Sequence, residues 1–182
     1  NAKSDGIDAQ KKLRAVWDEV IGLLGEARDA IDQPHLMPPP PSDRNLAEGY
    51  RYLMGFVHNA IERSFHQDPV RPHFRNALSI ITRSTIDNPD AIYQSTTIDP
   101  TLEWRIRGRT QGAVYTSFTV EGGGGLDARY PPARVVSNLN DTQLGVAEDG
   151  SYELVASVSP WSGPGAWLPL APDACSIVTR HY

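Results

Sequence analysis

The 182 residues suffice for one full-sized hydrophobic core and fall short of two comfortable domains. Apolar residues at 40% and charged residues at 21% place the chain among globular folds rather than disordered ones. The net charge of −5 lacks the basic excess with which a nucleic-acid binder meets phosphate, so no nucleic-acid partner is expected.

No stretch approaches the ~20 apolar residues of a membrane-spanning helix, so no membrane span is expected. The first residues show no charged region followed by an apolar one, so no signal peptide is expected and Asn1 reads as an internal or processed start. The single cysteine, Cys175, cannot form an internal disulfide, and no Cys/His spacing resembles a zinc site. A cytoplasmic protein without metal or cofactor is the resulting expectation. All three lysines (Lys3, Lys11, Lys12) precede residue 13, and every later basic residue is arginine. Genome composition explains such a bias; bidentate anion contacts are the sharper explanation.

Residues 7–32 read as a helix. Leu13, Val16, Trp17, Val20, Leu23, Leu24, Ala27 and Ile31 recur at steps of three and four and form one apolar stripe. Lys11, Arg14, Asp18, Glu19, Glu26 and Asp29 fall mostly off it, and Pro34 ends the pattern. The stripe is a candidate homo-oligomer contact. Four consecutive prolines at 38–41 form a stiff connector. Ser42 or Asp43 then caps a second helix with its apolar face on Leu46, Tyr50, Leu53, Met54, Val57, Ala60 and Ile61, ending near Phe65. The chain thus divides into a helical segment, 1–66, and a β-domain, 67–182, expected to share one core.

Residues 74–82 are apolar and ambiguous between helix and strand. From Ala91 the period changes to two, giving strands at 91–98, 101–108, 112–120, 143–147, 151–158 and 174–181. Asp99-Pro100, the segment 108–112 and Asp149-Gly150 supply turns between them. The glycine run 122–125 is a loop rather than a phosphate cradle, since neither Lys-Ser/Thr nor a helix follows it. Short sequential strands with local turns define an α+β fold: two N-terminal amphipathic helices packed on an antiparallel β-sandwich.

Strand 102–107 places Leu102, Trp104 and Ile106 on one face and Glu103, Arg105 and Arg107 on the other. The charged face either holds an anionic ligand or is a solvated outer surface. With this register Trp104 is buried and Arg105 at least partly exposed. Segment 86–93 is turn-forming, and Asp87, Asn88, Asp90 and Tyr93 either bond local backbone or line a polar mouth. Asp87 and Asp90 are a conceivable acid–base pair. His58 and His66, eight residues apart, stand about 12 Å apart along a helix and cannot share one metal. His66 and His73 flank a proline loop that includes Asp68, and neither a nucleophile elbow nor a metalloprotease helix is present. Residues 161–170 form a Gly/Pro-bent loop whose Trp161 and Trp167 either stack on a ligand or plug the sandwich end.

Asp87-Asn88-Pro89-Asp90-Ala91-Ile92-Tyr93, Ile98-Asp99 and Trp104-Arg105-Ile106-Arg107-Gly108 together resemble the core of bacterial domain-of-unknown-function family 1214. Asp149-Gly150-Ser151-Tyr152-Glu153-Leu154, Gly165-Ala166-Trp167-Leu168-Pro169-Leu170, Pro172-Asp173-Ala174 and Ser176-Ile177-Val178-Thr179-Arg180 resemble its second half. The resemblance spans about residues 86–181 and implies a jelly-roll-like sandwich. It implies no reaction.

The functional expectation is a small-molecule binding β-domain, its ligand a glycan, lipid or sterol conjugate. The expected site comprises Asp87, Asn88, Asp90, Tyr93, Arg105, Arg107, Trp167 and Arg180, in the largest cavity, between loops 87–93 and 161–169. Two alternatives stand beside it. A carboxylate-based hydrolase or lyase requires Asp87, Asp90, Tyr93 and a histidine to converge. An assembly subunit requires the stripe of 7–32 to be exposed.

Overall fold

A computed structural model describes residues 2–33, 42–79, 82, 87–123 and 133–182, with side chains from Asp8 onward. The polyproline connector, Ile86 and the last two glycines of the 122–125 run lie outside the described residues. The chain forms two compact units, residues 1–57 and 58–182.

In the first unit, helix α1 spans Ala2–Ile31 and helix α2 starts at Asp43, running to Phe65. Ser42 is the cap: its Oγ accepts from Asn45 N at 3.2 Å and its carbonyl from Leu46 N at 3.0 Å. The Tyr50 hydroxyl donates to Asp32 at 2.8 Å, tying α2 to the end of α1. The α1 stripe is open to water, with Leu13 72% and Trp17 66% exposed.

Among the described residues the second unit holds eight strands in two packed sheets. Sheet one has the order β1-β2-β8-β4-β5, comprising Arg75–Asn76, Ile92–Thr97, Ala174–His181, Thr116–Gly122 and Arg134–Asn140. Sheet two has the order β3-β6-β7, comprising Trp104–Arg109, Ser151–Ser157 and Ala166–Pro169. Inward-facing Phe118, Val120 and Ile177 from the first sheet meet Leu154, Ala156 and Leu168 from the second in one core cluster. The chain is therefore α+β, two helices followed by packed sheets consistent with a sandwich.

Three local expectations are corrected. Residues 143–147 do not form a strand; Asp141–Leu144 is a helical turn, α3. Asn140 accepts from Thr142 N at 3.2 Å while its own N donates to Gln143 Oε1 at 3.0 Å, and Gly145 closes the turn at φ 64°. Strands β5 and β7 were not expected. One sheet is mixed, because loop 158–165 carries the chain back so that β7 pairs parallel to β6.

Strand β3 keeps the expected register: burial alternates along it, with Trp104 partly buried and Arg105 exposed. Trp104 is held by Nε1 donating to the Asp99 carbonyl at 2.9 Å.

Candidate functional site

The two sheets do not close against each other everywhere. A cavity of about 630 Å³ is lined from both, by Ile92, Gln94, Phe118, Thr179 and His181 on one side and Ile106, Gly108 and Tyr152 on the other. Alternation creates it: these are the inward positions of β2, β4, β8, β3 and β6. An aromatic row runs along it. Phe74 meets Phe118 edge-on at 6.4 Å between centroids, and Phe118 meets Tyr152 edge-on at 5.6 Å.

Gly108 is what lets Tyr152 lie flat. The two residues are directly opposed on β3 and β6, and a Cβ at 108 would stand 2.5 Å from Tyr152 Cζ. Glycine inside a strand thus marks a close approach, here of a ring.

His181 is fixed by two threonine hydroxyls, Thr179 Oγ1 at 2.9 Å from Nε2 and Thr116 Oγ1 at 3.3 Å from Nδ1. Burial holds its imidazole below the usual histidine range and pushes the Tyr152 phenol above the usual tyrosine range. Both are therefore neutral near neutral pH, and the polar groups facing the cavity are hydrogen-bonding rather than charged. Arg107 and Arg109 at its rim are paired, Arg107 with Glu153 and Arg109 with Asp149 at 2.9 Å.

The residues anticipated from sequence fall into separate places. Tyr93 and Arg180 meet on the outer face of the five-stranded sheet, the guanidinium 5.5 Å from the ring centroid. Asp87 lines a cavity with both. Asn88 Oδ1 accepts from Asp90 N at 2.9 Å, the turn that Asp and Asn favour locally, and Asp90 is exposed. Arg105 and Arg107 converge instead on Glu153 on the outer face of the three-stranded sheet, with Arg105 over Trp161 at 5.6 Å. Their hydrogen bonds, Arg107's foremost, hold the Glu153 carboxyl below the usual range. Trp167 Nε1 donates to Ser157 O at 3.3 Å.

The expected site between loops 87–93 and 161–169 is not where the 630 Å³ cavity lies. That cavity takes Ile92 from the first loop and nothing from the second. The two loops belong to different sheets, and Gly165 lies against the Glu153 backbone, where a Cβ would stand 2.8 Å from its carbonyl oxygen. Nor, among the described residues, do Asp87, Asp90 and Tyr93 share a cavity with a histidine; the one carboxylate–histidine contact is His66 Nδ1 with Glu62 at 2.7 Å, on the exposed end of α2. Tyr93 and His181 point to opposite faces of one sheet, and His58, His66 and His73 are exposed. Among the described residues no group of three or more His, Cys, Asp or Glu side chains is placed to hold a metal ion.

Sequence reasoning missed Gly108, Phe118, Tyr152 and His181. Gly108 inside the alternating run 104–109 was the available signal, since a central glycine leaves space for whatever crosses it.

The fold and cavity together define a two-layer β-sandwich, preceded by helices, with an amphipathic chamber between its layers. No known family model matches the chain, and no curated protein matches it. Among solved structures it is similar to an uncharacterised protein from Burkholderia cenocepacia, with a TM-score of 0.78 and 29% identity over 90% of this chain and 44% of that one. The VPA0106 protein from Vibrio parahaemolyticus aligns with a TM-score of 0.42 and 16% identity over 87% of this chain and 47% of that one. The chain thus spans under half the length of these two proteins. No helix among the described residues is long and apolar enough to cross a membrane.

Proposed function

We propose that the chain binds a small amphipathic molecule, a lipid or sterol conjugate ahead of a glycan, in the chamber between its sheets. The observation that carries this reading is the row Phe74–Phe118–Tyr152 along a cavity of about 630 Å³. Ligand sites are typically about 300–1,000 Å³, mostly apolar, with a few placed polar groups. Gln94, Thr179 and His181 supply the polar groups, and the aromatic row favours a flat or aliphatic body over a fully hydroxylated ring. The resemblance to family 1214 is compatible with this reading and adds no reaction to it.

The test is a thermal-shift and calorimetric screen with a sulfated steroid, a medium-chain fatty acid and an oligosaccharide. Binding at about 100 times Kd stabilises by about 2.7 kcal/mol. Ile92→Trp, a substitution at a 60% exposed lining position, fills the chamber without disturbing the core and abolishes the shift. No stabilisation by any class, or a shift that Ile92→Trp leaves intact, refutes the reading.

A second reading, self-association through α1, is favoured by its exposed stripe and its charge order. Paired antiparallel with a second copy about Val20, the stripe sets Trp17 against Leu23 and Val16 against Leu24. The same register sets Arg14 against Glu26 and Lys11 against Asp29. Sedimentation across a concentration range tests it: a dimer that Trp17→Glu dissolves supports the pairing, and a monomer throughout removes it.

A further inference from the structure

We propose that the outer face of the five-stranded sheet is a second binding site, separate from the chamber between the sheets, for a small carboxylate held by Arg63, Arg75 and Arg180.

The site exists because alternation gives this face unusual chemistry. Opposite to the core-facing positions of β2, β4 and β8 stand Tyr93 and Ser95, Ser117, Thr119 and Glu121, and Ser176, Val178 and Arg180. A polar sheet face is normally solvated, yet Ser117, Thr119 and Ser176 are buried. Asn59 and Arg63, from the last turns of α2, join the rim of a cavity of about 330 Å³ over this face.

Arg75 reaches it from β1, its Nη2 donating to Asn59 Oδ1 at 2.9 Å. Its Nε is buried with no protein partner, as is the hydroxyl of Thr97 in the adjoining recess. Buried guanidinium donors are almost always satisfied, so an unpartnered one points to something that accepts from it. Arg180 is oriented by its hydrogen bond to Thr119 Oγ1 at 3.1 Å and by stacking on Tyr93. None of the three arginines is in an ion pair among the described residues, whereas Arg105, Arg107, Arg109 and Arg134 all are. Burial holds the Arg75 guanidinium below its ordinary range; the Glu62 carboxylate opposes this, and the like charge of Arg63 adds to it. An anion here relieves both effects.

Charge selects the class of anion. Asp87 and Glu121 also line the cavity and the Glu62 carboxylate acts on Arg75, so the carboxylates already present offset most of the charge of the three arginines. A monoanion suits that balance better than a phosphate dianion. Glu121 accepts from Ser176 Oγ at 2.9 Å and keeps its other oxygen for a hydroxyl or ammonium group on the ligand. The ligand is therefore a small carboxylate with a hydrogen-bond donor beside it, a hydroxy acid or an amino acid.

The experiment is calorimetric titration of the chain with lactate, alanine, acetate and inorganic phosphate, with methyl NMR as the locator. Lactate or alanine binds saturably and shifts the methyls of Val178, on this face, rather than those of Ile106, in the chamber. Arg180→Gln and Arg63→Gln each weaken binding about tenfold or more, the scale of a lost charge-assisted hydrogen bond. Arg63 is exposed, so its variant remains folded even where an Arg75 substitution disturbs the sheet. Lactate against alanine decides between the hydroxy and amino forms. No saturable binding by any carboxylate, phosphate binding tighter than all of them, unchanged affinity in the arginine variants, or shifts confined to Ile106 would each overturn the assignment.

Discussion

Gly108→Ala adds one methyl where Tyr152 crosses β3. The new Cβ stands 2.5 Å from Tyr152 Cζ and 3.1 Å from Cε2, and is closer still to the hydroxyl. The backbone there is ordinary strand, so the penalty is steric and falls on the ring. Tyr152 must rotate away and surrender its edge contact with Phe118, which lies 5.6 Å off. Overpacking of this kind costs about 1–3 kcal/mol, and a lost aromatic pair contributes about 0.5–1.5 kcal/mol of it. Urea unfolding should therefore show a loss of about 2 kcal/mol. The decisive measurement is a double-mutant cycle with Tyr152→Leu, which removes the ring that the methyl meets. A coupling of about 1 kcal/mol or more is expected, since contacting residues are not additive. An equal penalty for Gly108→Ala in both backgrounds would refute the reasoning, because the methyl would then be meeting something other than Tyr152.

Two further outcomes follow from the same core. The folded-state pKa of His181 lies below its unfolded value of about 6.5, so its contribution to stability is full above that pH and is lost as pH falls through the folded value. Stability measured by urea should decline from about pH 6.5 downward, and His181→Asn should flatten that decline; a decline unchanged in the variant removes His181 as its source. Below it, Asp99, Asp149 and Glu153, all held under the usual carboxylate range, account for acid loss that the variant keeps. Leu168 is fully buried between the sheets, so Leu168→Ala should cost about 2–5 kcal/mol by the same assay.

The helices and the period-two strands were legible because their apolar spacing is their cause. Leu13 to Ile31 at steps of three and four, and Trp104 and Ile106 against Arg105 and Arg107, admit few other readings. Strand β5 was not legible: Arg134-Val-Val-Ser-Asn-Leu-Asn carries two adjacent valines and ends in polar residues, and its pairing with β4 shifts register between Val120 and Glu121. Strand β7 was hidden because its pairing is parallel and its four residues sit inside a Gly/Pro-bent loop. The grouping of the site residues was not legible for a different reason. Sequence gives each strand's alternation but not which sheet a strand joins, and Tyr93, Arg105 and Trp167 are divided by that assignment. Even neighbours such as Arg180 and His181 face opposite sides of one sheet, so listing polar residues by segment mixes two surfaces.

Both cavities depend on the last strand in the chain. β8 is the central strand of its sheet, paired along its length with β2 on one side and β4 on the other. It supplies Thr179 and His181 to the inner chamber and Val178 and Arg180 to the outer face. Without it β2 and β4 are two unpaired edges, each with buried backbone groups left unsatisfied, and Ile177 is missing from the core. The chain truncated after Asp173 should therefore lose the cooperative unfolding of the second unit while keeping the helical signal of α1. A peptide of residues 174–182 added in trans should restore the transition, since a strand can be supplied from outside by main-chain hydrogen bonding. Near-ultraviolet circular dichroism follows both steps. A truncated chain with the full cooperative transition would mean that β2 and β4 pair without β8, which would overturn the account of how either cavity is built.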